Sequence, residues 1–371
     1  GEARERVVAA LRNSGFAVPN RRITVNLSPA RPRKQGSHYD LPIALALLIA
    51  SAQIAEAEPS RLWCAVGELS LDGRLRPVPG VLALAARAKA EGLTAIVVCE
   101  ANLEEARAAG IEAYPAADLR EAAELFSGAP PRPRAAVAAA EAPRPRAPDL
   151  SDVRGQFAAK RALELAAAGG HNILFVGPPG TGKSMLARRL PALLPALDKE
   201  EAVEVTLVQS ACGRAVPGLV RERPFRAPHH TSSAAALVGG GPSARAGEAC
   251  LAHGGVLFLD ELSEFGRQAL EALRQPLEEF SVTVARANGT TVYPARFQLV
   301  AATNPCPCGW LGHLKRPCSC TPPAVDKYIG RLSGPRVPRP VLLWGGVALE
   351  RKPLADRLPF ARVVEEEREG P

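Results

Sequence analysis

Eight residues, GPPGTGKS at positions 177–184, constrain this chain more than any other stretch. They fit the pattern G-x-x-x-x-G-K-[ST] at Gly177, Gly182, Lys183 and Ser184. The pattern has meaning only where a buried strand feeds a loop that opens a helix. The apolar run HNILFVG stands directly ahead of it, and a helical segment begins with SMLARRL. Glycines let the backbone close around phosphates without a Cβ clash. The loop amides and the helix N-terminus then face the anion. In such a loop Lys183 reaches the β and γ phosphates and Ser184 ligates Mg²⁺, while Pro178, Pro179, Gly180, Thr181 and Met185 complete the cradle.

Two further apolar runs, GGVLFLDE and RFQLVAATN, read as fully buried strands separated by helices. That order predicts an α/β fold with a parallel sheet covered by helices. Asp260 emerges at the C-terminal end of VLFL, where it can hold the water shell of Mg²⁺, and Glu261 beside it can polarise an attacking water. Asn304, at the end of the next strand, is placed to orient that water. Glu261 as a plain helix-start charge and Asn304 as a turn residue before Pro305 are the alternatives.

The stretch from 130 to 148 holds six prolines, four arginines and no aromatic residue. It cannot bury a core, so 128–149 is expected to be an exposed linker. Ahead of it, residues 1–127 mix strands and helices. RITVNLSPA alternates like a strand, LPIALALLIASAQI reads as a buried helix, VLALAARAKAEG as a helix closed by Gly92, and LTAIVVC as a buried strand. No apolar run reaches the roughly 20 residues of a membrane span. No secretory leader is visible, and a cytoplasmic location is expected. The formal net charge of +8 permits contact with nucleic acid without requiring it.

Of eight cysteines, Cys306, Cys308, Cys318 and Cys320 cluster as C-x-C, nine residues, C-x-C. Four thiolates on two short knuckles can surround one tetrahedral Zn²⁺. His313 can replace one of them. Disulfides or free thiols are the alternatives.

GPPGTGKS, RPFRAPHHTSSAAALVGGG, GGVLFLDELSEF, YPARFQLVAATNPCPCG and RLSGP together resemble the ComM/YifB family of magnesium-chelatase-like AAA+ ATPases. The resemblance runs from Gly1 to about Pro335. It implies a Lon-protease/S5-like α+β domain over 1–127, then a P-loop AAA+ parallel-sheet domain over 150–335 with a hairpin insertion before Asp260, around 209–247. It also implies ATP and Mg²⁺ as cofactors. It further implies single-stranded or branched DNA as partner, moved by a homo-hexameric ring in branch migration during natural transformation. SDVRGQ resembles the segment that cups adenine, which makes Val153 and Gln156 candidates. In the insertion, Arg221, Arg223, Arg226 and Arg245 are candidate phosphate contacts. His229 and His230 are expected to be structural.

Resemblance to the Lon domain puts His38 where the nucleophilic serine would stand and Leu82 where its lysine would stand. Ser37 is one place off, and Lys34 and Lys89 are the nearby lysines. A peptidase needs a nucleophile beside an activating base, so the domain is expected to be non-proteolytic. After Pro335 the family's LLDRID segment and helical lid give way to a divergent tail, 336–371, and the reading expects truncation at both ends. Arg336, Arg339 and Arg351 have no context as the arginine that reaches a neighbouring subunit's ATP. Arg286, in VTVARANG, is a candidate for it and equally an exposed strand charge. A magnesium-chelatase subunit and a nucleotide-binding module without turnover are the rival readings.

Overall fold

The computed structural model describes residues 2–27, 36–55, 62–132, 148–212, 214, 219–240, 245–286, 289–313, 316–332, 341–345 and 361–363. The chain forms two compact units, one of Gly1–Glu141 with Lys199–Val220, the other of Ala142–Asp198 with Arg221–Pro371. No helix among the described residues is long and apolar enough to cross a membrane.

The first unit opens with α1 (Glu2–Asn13) and α2 (Asp40–Ala50). Next come β1 (Trp63–Ala65), the short hairpin β2 (Glu68–Leu69) and β3 (Leu75–Arg76), and α3 (Val81–Ala90). The remainder is β4 (Ala95–Cys99), α4 (Leu103–Ala108), β5 (Glu112–Ala116) and α5 (Leu119–Phe126). A parallel sheet in the order β1-β4-β5 forms its centre. All five residues of β4 are buried, which explains its unbroken apolar run. One core lies between the sheet and α1, α2 and α5, with Leu11, Leu41, Leu48 and Leu119 fully buried. A second, around Val81, Ile96 and Val98, sits under α3 and α4. The Asp118 side chain caps α5 by accepting from the Glu121 N–H.

The alternating stretch RITVNL does not form a strand. Residues 22–27 have no regular structure, and Ile23, Val25 and Leu27 are exposed. Alternation alone does not make a strand, which also needs a ladder of paired backbone groups. Residues 133–147 of the expected linker, and Lys34, lie outside the described residues.

The second unit starts with α6 (Phe157–Gly169), β6 (Asn172–Val176), α7 (Lys183–Ala187) and α8 (Leu190–Leu193). The next helix, α9 (Lys199–Ala211), belongs to the first unit and packs on α3. The chain returns through β7 (Phe225–Arg226), α10 (Ala234–Val238), the hairpin β8 (Gly239–Gly240) and β9 (Arg245–Ala246), and α11 (Glu248–Leu251). It continues with β10 (Val256–Leu259), α12 (Arg267–Ala272) and α13 (Arg274–Glu279). The antiparallel hairpin β11 (Ser281–Arg286) and β12 (Gly289–Pro294) precedes β13 (Gln298–Thr303) and α14 (Pro322–Leu332).

The large sheet runs β15-β14-β6-β13-β10-β7, where β14 (Val341–Gly345) and β15 (Ala361–Val363) come from the tail. Its strands are parallel throughout. The tail therefore supplies a parallel neighbour to β6, which the sequence reading did not anticipate. Phe175 and Phe258 sit in the core under α6, each contributing about 1.5–3 kcal/mol of burial. With β6, β13 and β10 side by side, the loops after all three open at one edge of the sheet, where ligands of parallel sheets bind. This is an AAA+ type α/β arrangement with a hairpin inserted ahead of β10.

Candidate functional site

The loop after β6 is shaped by two glycines in left-handed backbone, Gly180 and Gly182, both at φ 82°. A side chain is disfavoured in that region. Gly182 then caps α7. The loop begins on a bond from the Gly177 N–H to the Thr303 carbonyl, 3.2 Å, which ties it to β13. The Thr181 hydroxyl donates to the Pro178 carbonyl at 2.9 Å.

Lys183 lies inside this loop. Its ammonium donates to the carbonyls of Gly177 (2.7 Å) and Pro178 (2.9 Å) and to Asn304 Oδ1 (3.3 Å). Burial lowers its pKa, and the negative charge of Asp260 opposes that shift. Ser184 Oγ donates to Asp260 Oδ2 at 2.6 Å. Residues 76 positions apart are thus brought into contact because β6 and β10 flank β13 in one sheet.

These side chains share an open cavity of about 380 Å³. Residues 179–185 line one side and Asp260, Glu261, Thr303 and Asn304 the other. That is within the usual range for a small-molecule site. Thr303 is a wall residue the sequence reading missed, hidden as the last residue of a buried strand. Its hydroxyl contacts Tyr328 of α14 at 3.3 Å, and Tyr328 accepts from Ser263 at 2.7 Å.

Glu261 stands in left-handed backbone at φ 52°. A non-glycine residue there costs about 1–3 kcal/mol and tends to mark functional sites. Its N–H donates to Asp260 Oδ1 at 3.0 Å. The adenine candidates separate. Val153 is buried in the core under α6 and does not line the cavity. Gln156 caps α6 and donates through Nε2 to the Thr181 carbonyl at 3.2 Å, so it touches the loop from outside the cavity wall.

The four clustered cysteines converge immediately after Asn304. Their sulfur atoms all lie within 4.8 Å of one another. Cys306 and Cys308 are 3.4 Å apart, Cys306 and Cys318 3.7 Å, Cys308 and Cys318 3.5 Å. A tetrahedron with Zn–S of about 2.3 Å needs S···S near 3.8 Å, so the donor set fits Zn²⁺. Backbone N–H groups of Leu311, Cys308 and Cys320 point at Cys306, Cys320 and Cys318 sulfurs at 3.3–3.4 Å. Donation from the Trp310 N–H, foremost, holds the Cys308 thiol down to about 5, while, against the N–H groups of Cys320 and Cys308, burial and the neighbouring sulfurs push Cys318 up to about 12 and raise Cys320. His313 is outside this set, since its Nδ1 accepts from the Arg316 N–H and its ring meets Trp310 edge-on.

Among the insertion arginines, two are engaged internally. Arg226 grips Glu248 through two bonds of 2.6 and 2.8 Å. Arg223 donates to the carbonyls of Pro195 and Gly254 at 2.5 and 2.8 Å. Both fix the path of the insertion. Arg221 is exposed. Arg245 begins β9 and Arg286 ends β11, while Arg336, Arg339 and Arg351 lie outside the described residues. In the first unit Leu82 is fully buried and Ser37 donates to the Glu68 carboxylate. Burial lowers the pKa of His38.

Residues 149–343 match the family model described as magnesium chelatase, subunit ChlI, and residues 1–102 match subunit ChlI of Mg-chelatase. The chain is 47% identical over 343 residues to YifB of Escherichia coli K12, covering 91% of this chain and 66% of that protein. It is 44% identical over 346 residues to the competence protein ComM of Haemophilus influenzae, covering 91% of this chain and 67% of that protein. A shorter similarity, 32% over 166 residues, covers 42% of this chain and 38% of the Holliday junction branch migration complex subunit RuvB of Saccharopolyspora erythraea. The chain spans about two thirds of the length of the curated relatives it matches.

Proposed function

Because the chain belongs to the ComM/YifB family of magnesium-chelatase-like AAA+ proteins, we propose that it is an ATPase motor acting on DNA strands. The observation that carries this is the convergence of Lys183, Ser184, Asp260, Glu261 and Asn304 on one cavity at the strand ends. Mg-ATP, when bound, supplies the transferable phosphoryl group and its charge. The 177–184 loop holds the phosphates through its amides, and Lys183 adds positive charge. Ser184 and Asp260, already in contact, would hold the magnesium and its water shell. Glu261 takes a proton from the attacking water, and Asn304 orients that water.

Substrate and assembly rest on likeness. The names of ComM and RuvB associate related chains with competence and with branch migration. That supports single-stranded or branched DNA as substrate and natural transformation as setting. We assign strand contact to the β8–β9 hairpin with Arg221 and Arg245, since Arg223 and Arg226 have internal partners. A homo-hexameric ring and a cytoplasmic location complete the proposal. Residues 1–127 serve as a non-proteolytic accessory domain, joined by 128–149 to an ATPase core at 150–335 whose helix α9 is lent to the first unit. One structural Zn²⁺ sits on Cys306, Cys308, Cys318 and Cys320.

Calorimetry with Mg-ATP tests the site. Lys183→Ala should weaken binding at least tenfold, while Glu261→Gln should bind ATP normally and fail to turn it over. Equal affinity in the Lys183 variant sinks the assignment.

A further inference from the structure

Behind the cavity wall, three buried hydroxyls stand in a row that the proposed chemistry does not use. Ser263 Oγ donates to Tyr328 Oη at 2.7 Å, and Tyr328 Oη lies 3.3 Å from Thr303 Oγ1. Thr303 Oγ1 in turn donates to the Asn304 carbonyl at 3.3 Å. Ser263, Tyr328 and Thr303 are all buried.

The protons set the direction of the row. A hydroxyl has one proton to donate. Thr303 gives its own to the Asn304 carbonyl, so Tyr328 is the donor to Thr303. With the phenol proton committed, Tyr328 accepts from Ser263. Ser263 has a second acceptor in Glu264 Oε1, but 3.4 Å against 2.7 Å makes that the weaker contact. The row therefore begins in the turn Leu262–Glu264 and ends on the backbone of Asn304.

The chain closes a circuit around the same residue. Cys306 follows Asn304 by two positions, and Cys320 stands two positions ahead of α14. The four sulfurs between them converge within 4.8 Å. The knuckle thus carries the chain from Asn304 to α14, and Tyr328 of α14 returns to Thr303, the residue before Asn304. Residues 303 and 304 are held from both directions. The Asn304 side chain lines the cavity, where its Oδ1 accepts from Lys183 at 3.3 Å. That leaves its amide N–H groups for a water, and a small displacement of such a group is costly in rate.

We infer that Tyr328 is a positioning residue that acts through Thr303 to fix the backbone of Asn304, so that the Asn304 amide meets the attacking water. The inference rests on the reading of Asn304 as the residue that orients this water. It also gives α14, a helix outside the cavity wall, a direct hold on the hydrolytic site.

Single-turnover hydrolysis of labelled ATP, with calorimetric ATP binding, tests this on the full chain. Tyr328→Phe removes one oxygen and keeps the ring. It should slow hydrolysis about 10-fold and leave ATP affinity within about twofold. Thr303→Val should slow it likewise, and carries the test if Tyr328→Phe does not fold. Added to Asn304→Ala, Tyr328→Phe should cost nothing more. Ile329→Ala, at a buried neighbour on α14, should lower the melting temperature and leave turnover near wild type. Wild-type turnover in Tyr328→Phe while Asn304→Ala is slow overturns the inference and spares Asn304. Wild-type turnover in Asn304→Ala overturns both. Equal slowing by Ile329→Ala, or a large loss of ATP binding in Tyr328→Phe, overturns the positioning role. A measurement independent of turnover is the ¹⁵N resonance of the Asn304 side-chain amide. It should move in Tyr328→Phe and stay in place in Ile329→Ala, and a resonance indifferent to the loss of the phenol oxygen refutes the connection.

Discussion

Gly309 stands where the cysteine knuckle meets the nucleotide loop. It lies at φ +81°, and a Cβ there would come 2.9 Å from Pro179 Cδ, with Asn304 Cγ at 3.9 Å. Pro179 lines the cavity, and its ring cannot swing aside as a flexible side chain would. Gly309→Ala should therefore cost about 1–3 kcal/mol through the left-handed backbone. It should also displace the loop and weaken ATP binding. Melting temperature and ATP affinity should fall together; an unchanged value for both would mean the two loops give way freely. Arg226 teaches the complementary lesson at this scale. Its charge reads in the sequence as a candidate for phosphate, yet the fold gives it to Glu248, and that partner raises its pKa. Residue type and local context identify a charge. They do not show which long-range partner neutralises it.

At the scale of elements, the knuckle makes the cleaner prediction. With four sulfurs already spaced for a tetrahedron, freshly reduced protein should carry about one Zn²⁺ per chain. Cys306→Ser with Cys308→Ser should release it and lower the melting temperature, because binding energy at such a site is also folding energy. Elemental analysis finding no zinc would remove the metal from the proposal. The knuckle was legible because ligand chemistry is written in spacing. So were β6, β10 and β13, whose apolar runs leave no other place for them than a sheet covered on both faces. Three elements were not legible. β7 is two residues long, too short to show a period. β14 lies in the tail, where the reading found no family motif, and only its parallel pairing with β6 reveals it. The 22–27 stretch has the alternation of a strand yet is not one, and its apolar side chains Ile23, Val25 and Leu27 stay exposed. Pattern describes one strand at a time, whereas pairing is a property of two. The Ser184–Asp260 contact was within reach of the sequence because both motifs announce their chemistry. The Thr303–Tyr328 contact was not, since nothing near Tyr328 names its partner.

The whole molecule is divided differently from the chain. The composition break at 130–148 suggests that everything after it folds apart from everything before it. Yet α9, which follows the nucleotide loop in sequence, belongs to the first unit and packs on α3. Its anchor is specific. Ser210 Oγ donates to Glu105 Oε1 at 2.8 Å, and Ser210 also accepts from the Gly80 N–H. Glu105 is fully buried and takes further bonds from the Leu82 N–H and from Asn102, each at 3.0 Å. Stripping α9 away would expose the α3 face and take a hydrogen bond from a buried carboxylate, a group that is costly to leave poorly satisfied. A cut in the linker should then sever the chain without separating its pieces. Trypsin has recognition sites after Arg134 and Arg146, each followed by alanine. The two fragments should elute together in size-exclusion chromatography under native conditions and part only in denaturant, and Ser210→Asp, which sets a second carboxylate against Glu105, should make them part natively. Native separation of the wild-type fragments would show instead that α9 contributes little to the first unit, and that the linker marks the true boundary between independently stable halves.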